Sequence, residues 1–461
     1  MTILDRRQMV AGLGLTMVAL TQANRPAVAK NSLVLTAAPS HLNLPGVRTA
    51  TRTLSYNQMT PGPVIRARRG QRITVRFVND LDKPSCVHWH GVRIANAMDG
   101  AAGLTQPPVP PGGSFDYDFV VPDAGTYWYH PHIHGDTARQ LGAGLYGVLI
   151  VDEDMAPIVD RDILLVIDDW SLGPDGQILP PSPADAMHAG RIGPKITINS
   201  KSVETITLNT NERARLRLVN VANSRIAYLA LAGFAGTIVA VDGQPVDTPF
   251  VPDNGRLDLP PGGRADIIVD ATFPSGTQAG IAINNNGEIV VLVHLVKGDG
   301  AFVRPAPLPA FILPRNDLPT GLALQTAKRV RLVMDGGPKM QADGTMHHME
   351  DDSGNAWTFN GKSGDGHDGA PLFAVKRGML INLELVNKTI FAHAIHLHGQ
   401  TMRILHPFDD EWQPYWVDTV TVPDGETVHT AFIADNPGKW MLHCHMIEHQ
   451  ESGMATWFEV T

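Results

Sequence analysis

Cysteine is nearly missing from this chain: there are two in 461 residues, Cys86 and Cys444. That excludes a disulfide framework as the source of stability, since only one intramolecular pairing exists. Basic runs are missing too. Lys and Arg total 37 against 46 Asp and Glu, for a net charge of −9. No cationic segment interrupts that balance, which argues against nucleic acid as the main partner. The apolar run from Met9 to Leu20 is too short for a comfortable membrane span. What is abundant is punctuation: 44 glycines and 35 prolines along the chain, suited to many short strands joined by turns. The length allows roughly three domains of about 150 residues.

The N-terminus has a charged start with Arg6-Arg7, then the apolar run, then Ala27-Val28-Ala29. This reads as a signal peptide over residues 1–29 with an Ala-x-Ala cleavage site, so the mature chain is expected to begin at Lys30. The arginine pair resembles a twin-arginine signal, a route that carries folded, often cofactor-loaded proteins. The expected location is periplasmic or secreted, with no stable membrane span after cleavage.

The chain repeats itself. "RGQRITVRFVNDLDKPSCVHWHG" from Arg69 aligns without a gap on "RGMLINLELVNKTIFAHAIHLHG" from Arg377, pairing Asn79 with Asn387, His88 with His396 and His90 with His398. "AGTYWYHPH" from Ala124 aligns on "PGKWMLHCH" from Pro437, pairing His130 with His443 and His132 with His445. A third copy, "NERARLRLVNVANSRIAYLALAG" from Asn211, keeps the strand and its closing Asn220 but carries Ala-Leu-Ala-Gly where the others have His-x-His-Gly. A turn-strand element also recurs, as "PPGGSFDYDF", "PPGGRADIIV" and "PDGETVHTAF". These repeats imply three related domains, 30–154, 155–303 and 304–461, with the middle one spacing its neighbours. Ile73, Val75 and Phe77 alternate with polar residues at the two-residue period of a half-buried strand. Many such strands with Gly/Pro turns predict an all-β chain of sandwiches or small barrels.

On a strand, residues i and i+2 share a face. Each His-x-His therefore presents two imidazoles together, and four such pairs stand in register across the duplication: His88/His90, His130/His132, His396/His398 and His443/His445. One pair alone is a surface coincidence; four are a cluster that suits copper, zinc, iron or nickel. The third domain adds residues that the first lacks. His393 stands where the first has Ser85, Cys444 where it has Pro131, His449 where it has Asp136, and Met454 where it has Leu141. One thiolate, two histidines and a methionine as weak axial ligand are the ligand set of a blue-copper electron-transfer site.

Together "HWHG", "HPHIHG", "HAIHLHG" and "HCHMIEHQESGM" resemble the four copper-binding segments of the multicopper oxidases, enzymes of three consecutive cupredoxin-like Greek-key domains. The resemblance covers essentially the whole mature chain and implies four copper ions. His393, Cys444 and His449 would hold the type 1 copper with Met454 axial, and His88 and His396 the type 2 copper. His90, His130 and His445 would hold one type 3 copper, and His132, His398 and His443 the other. Cys444 would take the electron from the blue site while His443 and His445 pass it to the trinuclear cluster on the other side of the strand. Cys86 is then a small buried hydrophobe.

The family reaction takes electrons singly from a substrate and reduces dioxygen to water. Asp99, in "AMDGAAGLTQ", matches a loop where the family often has an acid near the cluster and is the candidate proton relay; as a bland alternative it is an Asp-Gly turn residue. Glu448 is a second candidate. Some bacterial relatives carry an acid just after the last histidine, where this chain has Gln450. Phenols and aromatic amines are the expected substrates. The alternative is Cu(I), drawn by Met334, Met340, Met346, His347, His348 and Met349, whose thioethers favour that ion; the tract also reads as a Gly/Asp-rich loop. A lower alternative, a non-enzymatic envelope or cell-division scaffold, is disfavoured because no ligand position is missing. His41, His134, His188, His294, His367, His406 and His429 are assigned to structure or surface, with His134 the best further candidate beside the cluster.

Overall fold

The computed structural model describes residues 33–300, 303–320, 322–340, 346–349, 355–406 and 411–461. The expected signal peptide lies outside them, and no helix among the described residues is long and apolar enough to cross a membrane.

The two-residue periodicity is realised as three two-sheet units. In the first, one sheet orders Thr51–Tyr56, Leu33–Leu42, Arg72–Asn79 and Ser114–Val120, and the other orders Ile65–Arg68, Gly147–Asp152, Gly125–His130 and His88–His90. The middle unit pairs a six-stranded with a five-stranded sheet between Arg161 and Lys297, and the third a seven-stranded with a six-stranded sheet between Lys328 and Val460. Each unit contains the same parallel pair: Leu33–Leu42 with Arg72–Asn79, Arg161–Trp170 with Arg213–Asn220, and Lys328–Met340 with Met379–Asn387.

The asparagine that closes the second strand of each pair explains its own repetition. Asn79 Nδ2 donates to the Lys83 and Val109 carbonyls, Asn220 Nδ2 to those of Arg225 and Leu259, and Asn387 Nδ2 to those of Phe391 and Val422. In each case Oδ1 accepts the backbone N–H two residues on. One buried amide thus satisfies three backbone groups where the chain leaves the sheet.

One expectation fails in the middle unit. Arg213–Asn220 alternates in sequence, yet all eight residues are buried. Its polar face is covered, so its arginines are paired: Arg213 with Asp270, Arg215 with Glu153 and Asp266, and Arg217 with Asp162 and Asp266. Thr126 of the first unit hydrogen-bonds Arg217 and Asp266, which places the first unit against this face. The apolar cores of the first and third units meanwhile merge into one cluster containing Trp89, Trp357, Trp440 and Cys444.

Among the described residues there are three short α-helices, α1 (Thr137–Gly142), α2 (Pro183–Met187) and α3 (Ile447–Glu451). The methionine tract is not a loop at its ends: Met346–Met349 pairs antiparallel with the end of Lys328–Met340, setting Met340 opposite Met346. Met334 is fully buried core and is removed from the set of accessible thioethers.

Candidate metal centres

The histidine strands lie side by side within each unit and then face each other across units. His88 pairs with His130, and His396 with His443, as antiparallel partners. Between units the rings match crosswise, as a pseudo-twofold axis requires. His88 stacks on His398 with centroids 4.0 Å apart, and His90 on His396 at 3.8 Å. His132 and His443 bring their Nε2 atoms to 3.2 Å, and His130 lies 5.4 Å from His445 between centroids.

Second-layer groups fix which nitrogen points inward. His88 Nδ1 bonds the Asp99 carbonyl at 2.9 Å, His130 Nδ1 the Pro131 carbonyl at 2.7 Å, His396 Nδ1 the Asp418 carbonyl at 2.9 Å and His443 Nδ1 the Cys444 carbonyl at 2.9 Å. The Asp99 carboxylate accepts from His398 Nδ1 at 2.9 Å. His90 is turned the other way, with Nε2 on Asp418 Oδ1 at 3.0 Å. A carbonyl or carboxylate on one ring nitrogen sets the proton there and leaves the other as a lone pair. Those inward atoms, Nε2 of His88, His130 and His396, Nδ1 of His90 and both nitrogens of His445, are buried without a partner. His443 Nε2 lies 3.2 Å and 3.1 Å from Nε2 of His132 and His398. Burial first, and crowding by neighbouring imidazoles second, hold His90, His132 and His398 well below the ordinary histidine range. Neutral rings with converging lone pairs are a cation site, and the donor set fits copper.

The second centre lies on the opposite face of Gly438–Cys444. Cys444 Sγ is 3.7 Å from His393 Nδ1 and 3.8 Å from His449 Nδ1, and the two nitrogens are 3.1 Å apart. Ala455 pairs with His443, which sets buried Met454 abreast of Cys444. Burial pushes the Cys444 thiol up to about 12, so only a bound cation would make it a thiolate. Both cysteines are free, and Cys86 packs with Ala102 and Ile133.

Asp99 is fully buried, with Oδ1 3.4 Å from His88 Nδ1 and Oδ2 on His398. It therefore touches the cluster's ligands. Glu448 does not: Asn223 and Ser224 donate to its carboxylate at 2.8 Å and 2.6 Å, and the Arg191 backbone N–H at 3.1 Å, which ties α3 to the middle unit. His134 is exposed, its ring against His367 rather than the cluster.

Sequence reasoning missed the middle unit's share. Arg264 is fully buried and holds the Asp418 carboxylate with both terminal nitrogens, at 2.8 Å and 2.5 Å. Asp418 in turn orients His90 and His396. Asp242 accepts from the backbone N–H groups of Arg264, Asp418 and Thr419. At Gly262 an added Cβ would stand 2.9 Å from His90 Cε1 and 3.2 Å from the His445 ring. The middle unit is thus a wall of the cluster and more than a spacer. One signal was available: at the aligned position of the recurring turn, Arg264 stands where the other copies have Ser114 and Thr427.

Beside the Cys444 centre, a cleft of about 290 Å³ opens between the middle and third units, lined by Ile192, Tyr228, Asn284, Asn286, Phe391 and Met446 among others.

An all-β chain with a cysteine–imidazole centre joined through one strand to an eight-histidine cluster defines a copper oxidase. Multicopper oxidase family profiles match residues 39–156, 166–288 and 337–461. The chain is 30% identical to the multicopper oxidase MmcO of Mycobacterium tuberculosis, covering 92% of this chain and 85% of that protein. Among solved structures it is similar to a multicopper oxidase of Pseudomonas thermotolerans (31% identity, TM-score 0.80, 93% and 99% of the two chains). It is also similar to Lac15 from a marine microbial metagenome (34%, TM-score 0.73, 93% and 100%). The chain belongs to the multicopper oxidase family, and it is a copper-dependent oxidoreductase of three cupredoxin domains that uses a small-molecule reductant and dioxygen.

Proposed function

We propose that this enzyme is a laccase-type oxidase of phenols and aromatic amines. In this reading His393, Cys444, His449 and Met454 would hold one copper and the eight paired histidines three, distributed as the family resemblance implies, and the bound ions would supply one-electron acceptance at the first site and the four-electron reduction of dioxygen at the second. The observation that carries the reading is the cleft. Its apolar surface from Ile192, Phe391 and Met446, with Tyr228, Asn284 and Asn286 for orientation, suits a small planar aromatic with a polar substituent. Phe391 lies two residues before His393, and Met446 directly follows His445.

The protein's own groups do three things. The cleft orients the donor. Gly438–Cys444 connects the centres, because Cys444 faces one side while its neighbours His443 and His445 face the other. Asp99 sets one carboxylate oxygen near each of two cluster rings, where it can take up and release the protons that water formation requires.

The second reading, Cu(I) oxidation, is favoured by one observation. The hairpin that sets Met340 opposite Met346 starts beside Trp357, which pairs with Gly336 and packs on the His449 ring. Oxygen uptake by the copper-loaded enzyme separates the two. Faster turnover of a simple phenol than of Cu(I), unchanged on replacing Met340, Met346 and Met349, is expected; turnover dominated by Cu(I) and lost with those methionines would reverse the assignment. Export by the twin-arginine route belongs to the same proposal, and fractionation of cells expressing Arg6→Lys/Arg7→Lys, with retention in the cytoplasm expected, tests it.

A further inference from the structure

Two histidines outside both copper centres meet across the seam between the first and third units. His134 follows the cluster residue His132 by two positions and is exposed. Its ring lies 6.1 Å from that of His367 between centroids, inclined at 72°. His90 and His130, two rings assigned above to one copper, stand 5.8 Å apart on the same measure. His367 belongs to the loop Asp365-Gly366-His367-Asp368 of the third unit. Its ring nitrogens face different carboxylates: Nδ1 is 3.4 Å from Asp365 Oδ1, and Nε2 is 3.8 Å from Asp368 Oδ1.

The two carboxylates have different roles. Asp365 is fixed, since its residue pairs with Ala455 in the sheet and its Oδ1 accepts the Asp368 N–H at 3.3 Å. His367 Nδ1 is buried and makes no hydrogen bond of good geometry. The field of the Asp365 carboxylate therefore places the ring proton on Nδ1 and leaves the lone pair on Nε2. A carboxylate behind an imidazole is the arrangement that orients metal-binding histidines. The first unit steadies the same ring at Gly103, where an added Cβ would stand 2.9 Å from Cδ2 and 3.1 Å from Nε2. Asp368, with a side chain 78% exposed, and exposed His134 have room to turn. Two ligands of a tetrahedral ion at about 2.0–2.1 Å lie about 3.3 Å from each other. The 3.8 Å between His367 Nε2 and Asp368 closes to that with a small rotation.

We propose that His134, His367 and Asp368 bind a divalent cation of the zinc type, a further metal site that clamps the first unit to the third. Two imidazoles and one carboxylate suit such an ion, whereas calcium and magnesium take oxygen ligands. Water completes the coordination, because the site faces solvent. The clamp stands near both copper centres in the chain: His134 is two residues from His132, and Gly364, three residues before His367, pairs with Met454. Its ion joins two loops and takes no part in electron transfer.

The test is equilibrium dialysis of the fully copper-loaded enzyme against Zn(II), with zinc and copper both counted by metal analysis. One Zn(II) per chain is expected beyond the coppers, with the copper count and the type 1 absorption band unchanged. His134→Gln, His367→Gln and Asp368→Asn should each weaken that binding about tenfold or more, and all three leave the copper ligands in place. Zn(II) should also raise the melting temperature of the wild-type holoenzyme and not that of the variants. Zinc uptake matched by copper loss, or uptake that all three variants retain, would overturn the site, as would no binding at about 1 mM. Binding lost in His367→Gln and Asp368→Asn yet full in His134→Gln would overturn the clamp between units.

Discussion

At the scale of the residue, reactivity follows from what each inward atom has been denied. Cys444 is buried beside two imidazoles, with its thiol held up to about 12, so metal must displace its proton before it can act. Cys444→Ser is expected to lose the intense blue absorption and one copper per chain while the histidine cluster keeps its own, as metal analysis and electron paramagnetic resonance would show. Asp99 differs, because it touches rings and not the inferred coppers. Asp99→Asn keeps the shape and removes the base. Steady-state oxygen reduction should fall by about 10²-fold or more, yet anaerobic bleaching of the blue band by a phenol should proceed at the wild-type rate. Slowing of both would assign Asp99 to positioning the cluster instead.

At the scale of the element, the strand is the device that makes two centres from one segment. Its alternation sends His443 and His445 to one face and Cys444 to the other, and antiparallel pairing with His393–Leu397 brings the partner ligands alongside. The turn at Gly262 works by absence. Its φ of +86° favours glycine, and a Cβ there would meet His90 and His445. Gly262→Ala should therefore weaken the type 3 absorption and lower copper content while the blue band persists. An undisturbed cluster would show that the turn can move away from those rings. The closing asparagines belong to this scale too: the sequence repeats them, and only the fold shows that each satisfies three backbone groups.

At the scale of the whole molecule, the three units are joined by buried charge. Arg264 links the middle unit to Asp418 of the third and reaches the Thr126 carbonyl of the first. Removing one partner of such a pair leaves a buried charge uncompensated, which costs about 3–5 kcal/mol. Arg264→Leu should lower the melting temperature of the apoprotein and release copper from the cluster, and Arg264→Leu/Asp418→Asn should recover part of the stability. Asp168, at the seam with Tyr146 of the first unit, is held up to about 7, mainly by burial. Because its folded pKa is raised above the ordinary aspartate value of 3.8, the folded state keeps a proton that the unfolded chain gives up, and stability falls as pH rises between those values. Relative to Asp168→Asn, the wild-type apoprotein should lose on the order of 3 kcal/mol between pH 4 and pH 8 in denaturant titrations. Parallel curves would show that the carboxyl ionises normally.

The sequence by itself determined the periodicity, the threefold repeat and the family, because strand alternation and ligand spacing are local properties that a linear chain displays directly. His88, His90, His396 and His398 could be named from it for the same reason. What only the tertiary structure decided lies between units. The burial of Arg215 and Arg217 on a strand that alternates like a half-exposed one, the grip of Arg264 on Asp418, the commitment of Glu448 to the domain seam and the meeting of His134 with His367 all depend on which surfaces meet. No local pattern encodes those meetings: a charged residue on a strand looks the same whether water or another domain lies against it.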